Sequence, residues 1–224
     1  MGDCRIERRS AAFGALFHTS QGAEFNCQFV RIAVLYEDLS LEVHGIDAAR
    51  GSLPTLERHS HQYRRIYFAR RAICTLCEFA NAVSQLSKAP HFKILAEGFD
   101  PVQTQAWNDA KTFFDLKQSV IKQVRNDVGG HFGEEACRQL LTKVDPEYVA
   151  SLSREFDRDG AWQIKVDFAS ELAAKALLLH APGQGEEEKM SFVIELLQGA
   201  LLHATSVAHA VFGPSLWHKM TEEP

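Results

Sequence analysis

The chain has 224 residues, of which 46% are hydrophobic and 24% charged, and its formal net charge is -5. Such a profile belongs to a folded globular protein and excludes a disordered tail or a collagen-like rod. The mild acidity argues against a protein that coats nucleic acid nonspecifically, because that binding draws on many phosphate-facing Lys and Arg side chains; it leaves room for one local basic site.

Near the start, Arg residues precede a short apolar patch from Ala11 to Phe17, and no clear small-residue cleavage site follows, so a secretory leader is not expected. Phe25, Phe29, Ile32, Tyr36, Leu39 and Val43 then recur at steps of four and three, which places them on one stripe of a helix from about Glu24 to Val43, punctuated by Gly45. Ser52 and Pro54 mark the start of a second helix, and the run from Leu56 to Leu86 has no internal Gly or Pro. Ile66, Ile73, Cys77 and Ala80 fall on one side of that run and Phe68 and Phe79 on nearly the other. A helix apolar on two faces is expected at the centre of the fold.

Pro90, Gly98 and Pro101 make the segment from Ser87 to Pro101 a connection, with a short helical turn from Phe92 to Ala96. Trp107, Ala110, Phe114, Ile121 and Val124 keep helical spacing until Gly129 and Gly130 break the pattern, and Glu134 to Thr142 suits another short helix. From Glu155 to Phe168 the period changes to two around the turn-forming D-R-D-G, with Trp162, Ile164, Val166 and Phe168 alternating with polar residues; a small β-hairpin insertion is expected there. Ala169 to His180 and Glu187 to Val211 return to helix on either side of P-G-Q-G, the second with a stripe of Val193, Leu197, Leu201, Ala204, Ala208 and Val211. The whole reads as one all-α domain over residues 1–224, an antiparallel helical bundle of five to seven helices with a small hairpin insertion. No internal repeat or low-complexity segment interrupts it.

Five cysteines, an odd number in a chain large enough to need no disulfide staple, read as reduced thiols. No stretch reaches the roughly 18 uncharged apolar residues of a membrane span, so no membrane association is expected and the cytoplasm is the default location.

The most informative stretch is V-R-N-D-V-G-G-H-F, residues 124–132, where a long amphipathic run stops on a charged residue, two glycines and a histidine. Cleaving RNA through its own 2′-hydroxyl requires a group that moves protons near neutral pH and a fixed cation facing the charge that builds on phosphorus. His131 suits the first role, since an unperturbed imidazole titrates near about pH 6.5. Arg125 suits the second through its planar, permanently charged fork, and Asn126 can orient the pair by hydrogen bonding. Gly129 and Gly130 let backbone approach a nucleotide without side-chain obstruction. The competing reading is a capped helix end, with Arg125 on the terminal carbonyls and His131 half-exposed on the next segment.

Arg125, Asn126 and His131, with five residues between Arg and His, resemble the motif of the HEPN superfamily (higher eukaryotes and prokaryotes nucleotide-binding). Its all-helical domains often carry Arg, a polar residue, a short gap and His. The resemblance implies a metal-independent endoribonuclease without a cofactor, acting on RNA as a homodimer in which two Arg/His pairs meet across the interface; a protein partner that restrains the activity also fits it. It covers seven residues directly. Phe132-Gly133 follows His131, so the branch of toxins with a tyrosine two positions on is not matched.

Arg58, Arg64, Arg65, Arg70 and Arg71 make the one concentrated basic stretch, within which Arg64 and Arg71, seven apart, share a helical side and are candidates to grip phosphates; a solvated helix face is the alternative. Cys74-x-x-Cys77 has the spacing of a zinc knuckle but lacks a second pair, and its mid-helix position favours core packing over metal. Neither His59 with His61 nor His203 with His209 reproduces a helical metal pair, so no metal site is expected. Glu186, Glu187 and Glu188 open a helix, where negative charge favours the dipole.

Overall fold

A computed structural model describes residues 9–10, 23–48, 55–128, 138, 141–142, 147, 152–156, 162–179, 181–213 and 221–222, with side chains at 25–46, 63–126, 138, 141–142, 147, 169, 172–179 and 181–213. Among these residues the fold is all-α, with six helices: α1 (Ala23–Ala48), α2 (Thr55–Lys88), α3 (Pro90–Glu97), α4 (Pro101–Val128), α5 (Asp167–Leu177) and α6 (Glu186–Phe212). Among the described residues, strand is confined to two ladders. One pairs β1 (Arg9–Ser10) antiparallel with β4 (Thr221–Glu222). Between α4 and α5, β2 (Leu152–Phe156) pairs antiparallel with β3 (Trp162–Val166), Leu152 facing Val166 and Phe156 facing Trp162. The D-R-D-G turn between them lies outside the described residues. Phe168, expected in a strand, is the second residue of α5. Residues 138, 141 and 142 are helical, and the rest of the expected Glu134–Thr142 helix lies outside the described residues.

The central position of α2 follows from its two apolar faces. Ile66, Ile73, Cys77 and Ala80 are buried on one and Phe79 on the other, and the helix packs on α1, α3, α4, α5 and α6. Against α1 it runs antiparallel, since Arg31 meets Glu78 while Glu42, further along α1, meets the earlier Arg71. Gly45 corrects one expectation. It does not stop α1, which continues to Ala48; a Cβ there would lie 2.9 Å from the Phe68 ring, so the missing side chain is what lets that ring seat against the α1 backbone.

The connection after α2 is more helical than its prolines and glycine suggest. Ala89 is extended and Pro90 opens α3, because proline at the first helical position needs no N–H partner and already has a helical φ. This one short helix buries Phe92, whose ring centroid lies 4.4 Å from that of Trp107. The third apolar stripe likewise begins earlier than its first buried aromatic. Asp100 Oδ1 accepts the Gln103 N–H at 2.8 Å, Gln103 Oε1 accepts the Asp100 N–H at 3.0 Å, and the Asp100 carbonyl accepts the Thr104 N–H at 2.9 Å, so D-P-V-Q is a capping box and α4 starts at Pro101. Asp100→Ala is expected to destabilise the fold by about 0.5–2 kcal/mol, measured as a shift of the urea midpoint, with Asp100→Asn recovering most of it.

α6 lies antiparallel along α4. Lys117 Nζ sits 5.9 Å from the Phe192 ring centroid, and Phe113 stacks on His203 at 4.4 Å and 27° beside the small Gly199. The turn into α6 passes through Gly183 at φ +135°, a conformation that L side chains rarely adopt. Contrary to the sequence expectation, α6 is long and apolar enough by length and composition to cross a membrane. From Leu196 to Phe212 it has no Asp, Glu, Lys or Arg, and its polar positions are the uncharged Gln198, Thr205, Ser206 and the two histidines, which interrupt the apolar run without adding charge. Here its Val193, Leu197, Ala200, Ala204, Val207 and Val211 are buried in the core shared with α1, α2 and α4.

Burial holds the His203 imidazole below its ordinary value, and Asp109 opposes that only in part. A histidine with a lowered pKa in the fold contributes stability that is present above its usual value of about 6.5 and lost as pH falls through that region. His203→Phe keeps the stack on Phe113 and is expected to flatten the decline of melting temperature between about pH 7 and pH 5.

Candidate nucleic-acid interface

The five apolar positions Trp107, Ala110, Phe114, Ile121 and Val124 are all buried, and this orientation of α4 turns the next two residues, Arg125 and Asn126, to the exposed side. Arg125 stands in the last helical turn, which ends at Val128. Gly129, Gly130 and His131 lie outside the described residues.

Across the helix interface, Arg125 Nη2 is 3.8 Å from Glu78 Oε1, within ion-pair range but too long for a hydrogen bond. The other Glu78 oxygen accepts a hydrogen bond from Arg31 Nη2 at 3.2 Å, and Arg31 Nη1 donates to Gln28 Oε1 at 3.0 Å. One carboxylate from α2 is therefore shared by a guanidinium from α1 and another from α4. The three side chains are 37% (Arg31), 45% (Glu78) and 46% (Arg125) exposed, so solvent screens their pairing and each contact contributes no more than about 1 kcal/mol to stability. Beneath them, burial pushes the Cys77 thiol up, Arg125 and Lys122 pull it down, and Glu78 and Cys74 push it up again. A buried thiol held protonated is a packing group, not a nucleophile. Among the described residues no three His, Cys, Asp or Glu side chains are grouped to hold a metal.

Arg64 and Arg71 are both exposed on α2. Arg71 Nε donates to Glu42 Oε1 at 3.3 Å, and Glu42, 7% exposed, has a carboxyl pushed up by burial and drawn back by the Thr75 hydrogen bond and Arg71. Positions 64, 71 and 78 are seven apart, so they repeat along one side of α2 at intervals of roughly 10 Å. The fold thus sets Arg64 and Arg71 on the same helix side as Glu78 but does not bring them into contact with Arg125. Asn126 is exposed one position beyond it. Arg58, His59 and His61 have side chains outside the described residues.

Arg31, Glu78 and Lys122 escape a sequence reading. Arg31 and Glu78 are 47 positions apart, joined only when α1 packs on α2, and no local pattern marks either as part of a site. Searches of family models, curated proteins and solved structures find no match to this chain.

Proposed function

We propose that the chain is a HEPN-like RNA-binding protein and a metal-independent endoribonuclease, working as a homodimer in a reducing, cytoplasmic setting. The observation that carries this reading is an exposed guanidinium in the last turn of a long helix, a second guanidinium and Lys122 near it, and His131 in the segment that follows. Arg31, Lys122 and Arg125 against Glu78 and Asp127 leave one net positive charge near that end of α4, as a phosphodiester requires. Arg64 and Arg71, along the same side of α2 as Glu78, extend the charge in the direction an RNA strand can follow.

In the proposed reaction the RNA 2′-oxygen attacks phosphorus as His131 accepts its proton. The bond from phosphorus to the 5′-oxygen breaks, and that oxygen receives a proton from an imidazolium. The products are a 2′,3′-cyclic phosphate and a 5′-hydroxyl, with no oxidant, metal or cofactor consumed. Arg125 faces the negative charge that grows on the phosphoryl oxygens, and Asn126 orients the pair. The test is to incubate purified protein with mixed cellular RNAs in EDTA and analyse the cut ends. Cyclic phosphate ends are expected, and intact RNA across all substrates would remove the enzymatic reading.

One observation favours a second reading, a noncatalytic helical dimer that binds a small ligand or serves as a scaffold. Arg31, Arg71 and Arg125 each face a carboxylate of this chain, as structural arginines do. On that reading the protein retains no RNA at physiological salt.

A further inference from the structure

Arg31 belongs to a helix that the sequence motif does not touch, yet its guanidinium and that of Arg125 address opposite oxygens of the same carboxylate. Hydrogen bonds fix Arg31 on two sides, through Gln28 and Glu78. Of its five N–H donors these engage two. Arg125 is held at 3.8 Å by charge, without a hydrogen bond to Glu78, so that carboxylate consumes none of its donors. Lys122 is three residues before Arg125 on α4, and the charges of both lower the Cys77 thiol. Two guanidiniums from two helices meet one carboxylate, with Lys122 one helical turn before Arg125, and all of them are reachable from solvent.

A carboxylate and a phosphodiester present similar pairs of oxygens to a guanidinium fork, and either satisfies it. Resting on the ribonuclease reading above, we propose that Arg31 is a second phosphate ligand of the Arg125 site and that Glu78 is its internal counter-ion, occupying the place an RNA phosphodiester takes. Glu78 keeps two like charges together in the unbound protein. On binding, the RNA phosphate pairs with Arg125 and Arg31, and Glu78 yields that place and turns to solvent. The same carboxylate that organises the cations therefore opposes the ligand, and removing its charge strengthens binding.

The test uses the full chain and a fluorescent single-stranded 2′-O-methyl RNA, which has no nucleophilic hydroxyl, in EDTA over a salt series read by anisotropy. Arg31→Ala is expected to weaken binding about tenfold, the scale of a lost charge-assisted hydrogen bond. It is also expected to reduce the slope of log affinity against log salt by about 0.7, one phosphate contact on a single strand. Arg31→Lys should keep the slope and lose part of the affinity, because it keeps the charge without the fork. Glu78→Gln, nearly isosteric and half-exposed, is expected to tighten binding about threefold, the scale of one exposed ion pair. If Arg125→Ala weakens binding while Arg31→Ala leaves affinity and slope unchanged, the second ligand is overturned and the ribonuclease reading stands. Glu78→Gln that weakens binding overturns the counter-ion role. RNA binding indifferent to both arginines, or no binding at all, overturns this inference together with the reading it rests on.

Discussion

Arg125→Ala is expected to slow RNA cleavage about 100- to 1,000-fold in EDTA, the loss that follows removal of one preorganised group facing developing charge. His131→Ala is expected to cost a comparable or larger factor, about 100- to 10,000-fold, since it removes the proton carrier itself. The two differ in what survives. His131→Ala should still hold RNA, because the cations at the end of α4 remain. Arg125→Ala should lose affinity as well as rate and show a shallower salt dependence. The Arg125 change does not threaten the fold: Arg125 is half-exposed and its ion pair with Glu78 is solvent-screened, so stability should move by no more than about 1 kcal/mol. A helix-capping role predicts the reverse, a loss of stability with no change in RNA chemistry. Measuring both quantities on the same preparations separates the two readings.

Phe79→Ala is expected to have the largest effect on stability. The ring is fully buried on the central helix, with its centroid 5.5 Å from that of Phe114 on α4. Truncation removes contacts on both helices and leaves a cavity that packed neighbours fill only in part, at about 3–5 kcal/mol. In a chain of this size that lowers the melting temperature by roughly 10 °C. It should also carry Arg125 away from Glu78, because the packing of α2 on α4 sets that distance. Leu116→Ala, at a position 74% exposed on the same helix α4, is expected to stay within about 0.5 kcal/mol of the parent. A small effect at Phe79 and a large one at Leu116 would mean that α4 packs in a different rotation, and the exposed setting of Arg125 would go with it.

Periodicity made the helical stripes legible. Phe25, Phe29, Ile32, Leu39 and Val43 are buried on α1, and Trp107, Ala110, Phe114, Ile121 and Val124 on α4, as their spacing requires. Helix ends were less legible because they depend on capping and packing, not on the stripe. The apolar pattern of α4 begins at Trp107, but the Asp100 and Gln103 side chains start the helix at Pro101, a capping signal that is present in the sequence and independent of hydrophobicity. Gly45 reads as punctuation in one dimension and is a contact with Phe68 in three. α6 escaped as a long apolar segment because its histidines, glutamine, serine and threonine look polar in sequence while carrying no fixed charge. At the candidate site, Arg125 and Asn126 were marked by their place at the end of a helix. Their neighbours were not, since the partnership of Arg31 with Glu78 exists only through the packing of α1 on α2.

An experimental structure of the chain with a bound 2′-O-methyl RNA dinucleotide tests the central claim most directly. A non-bridging phosphate oxygen is expected about 2.7–3.2 Å from the Arg125 guanidinium, with the His131 ring reaching the ribose 2′-oxygen from the same side. A nucleotide bound away from the end of α4, with Arg125 still facing Glu78 and His131 directed elsewhere, would contradict it.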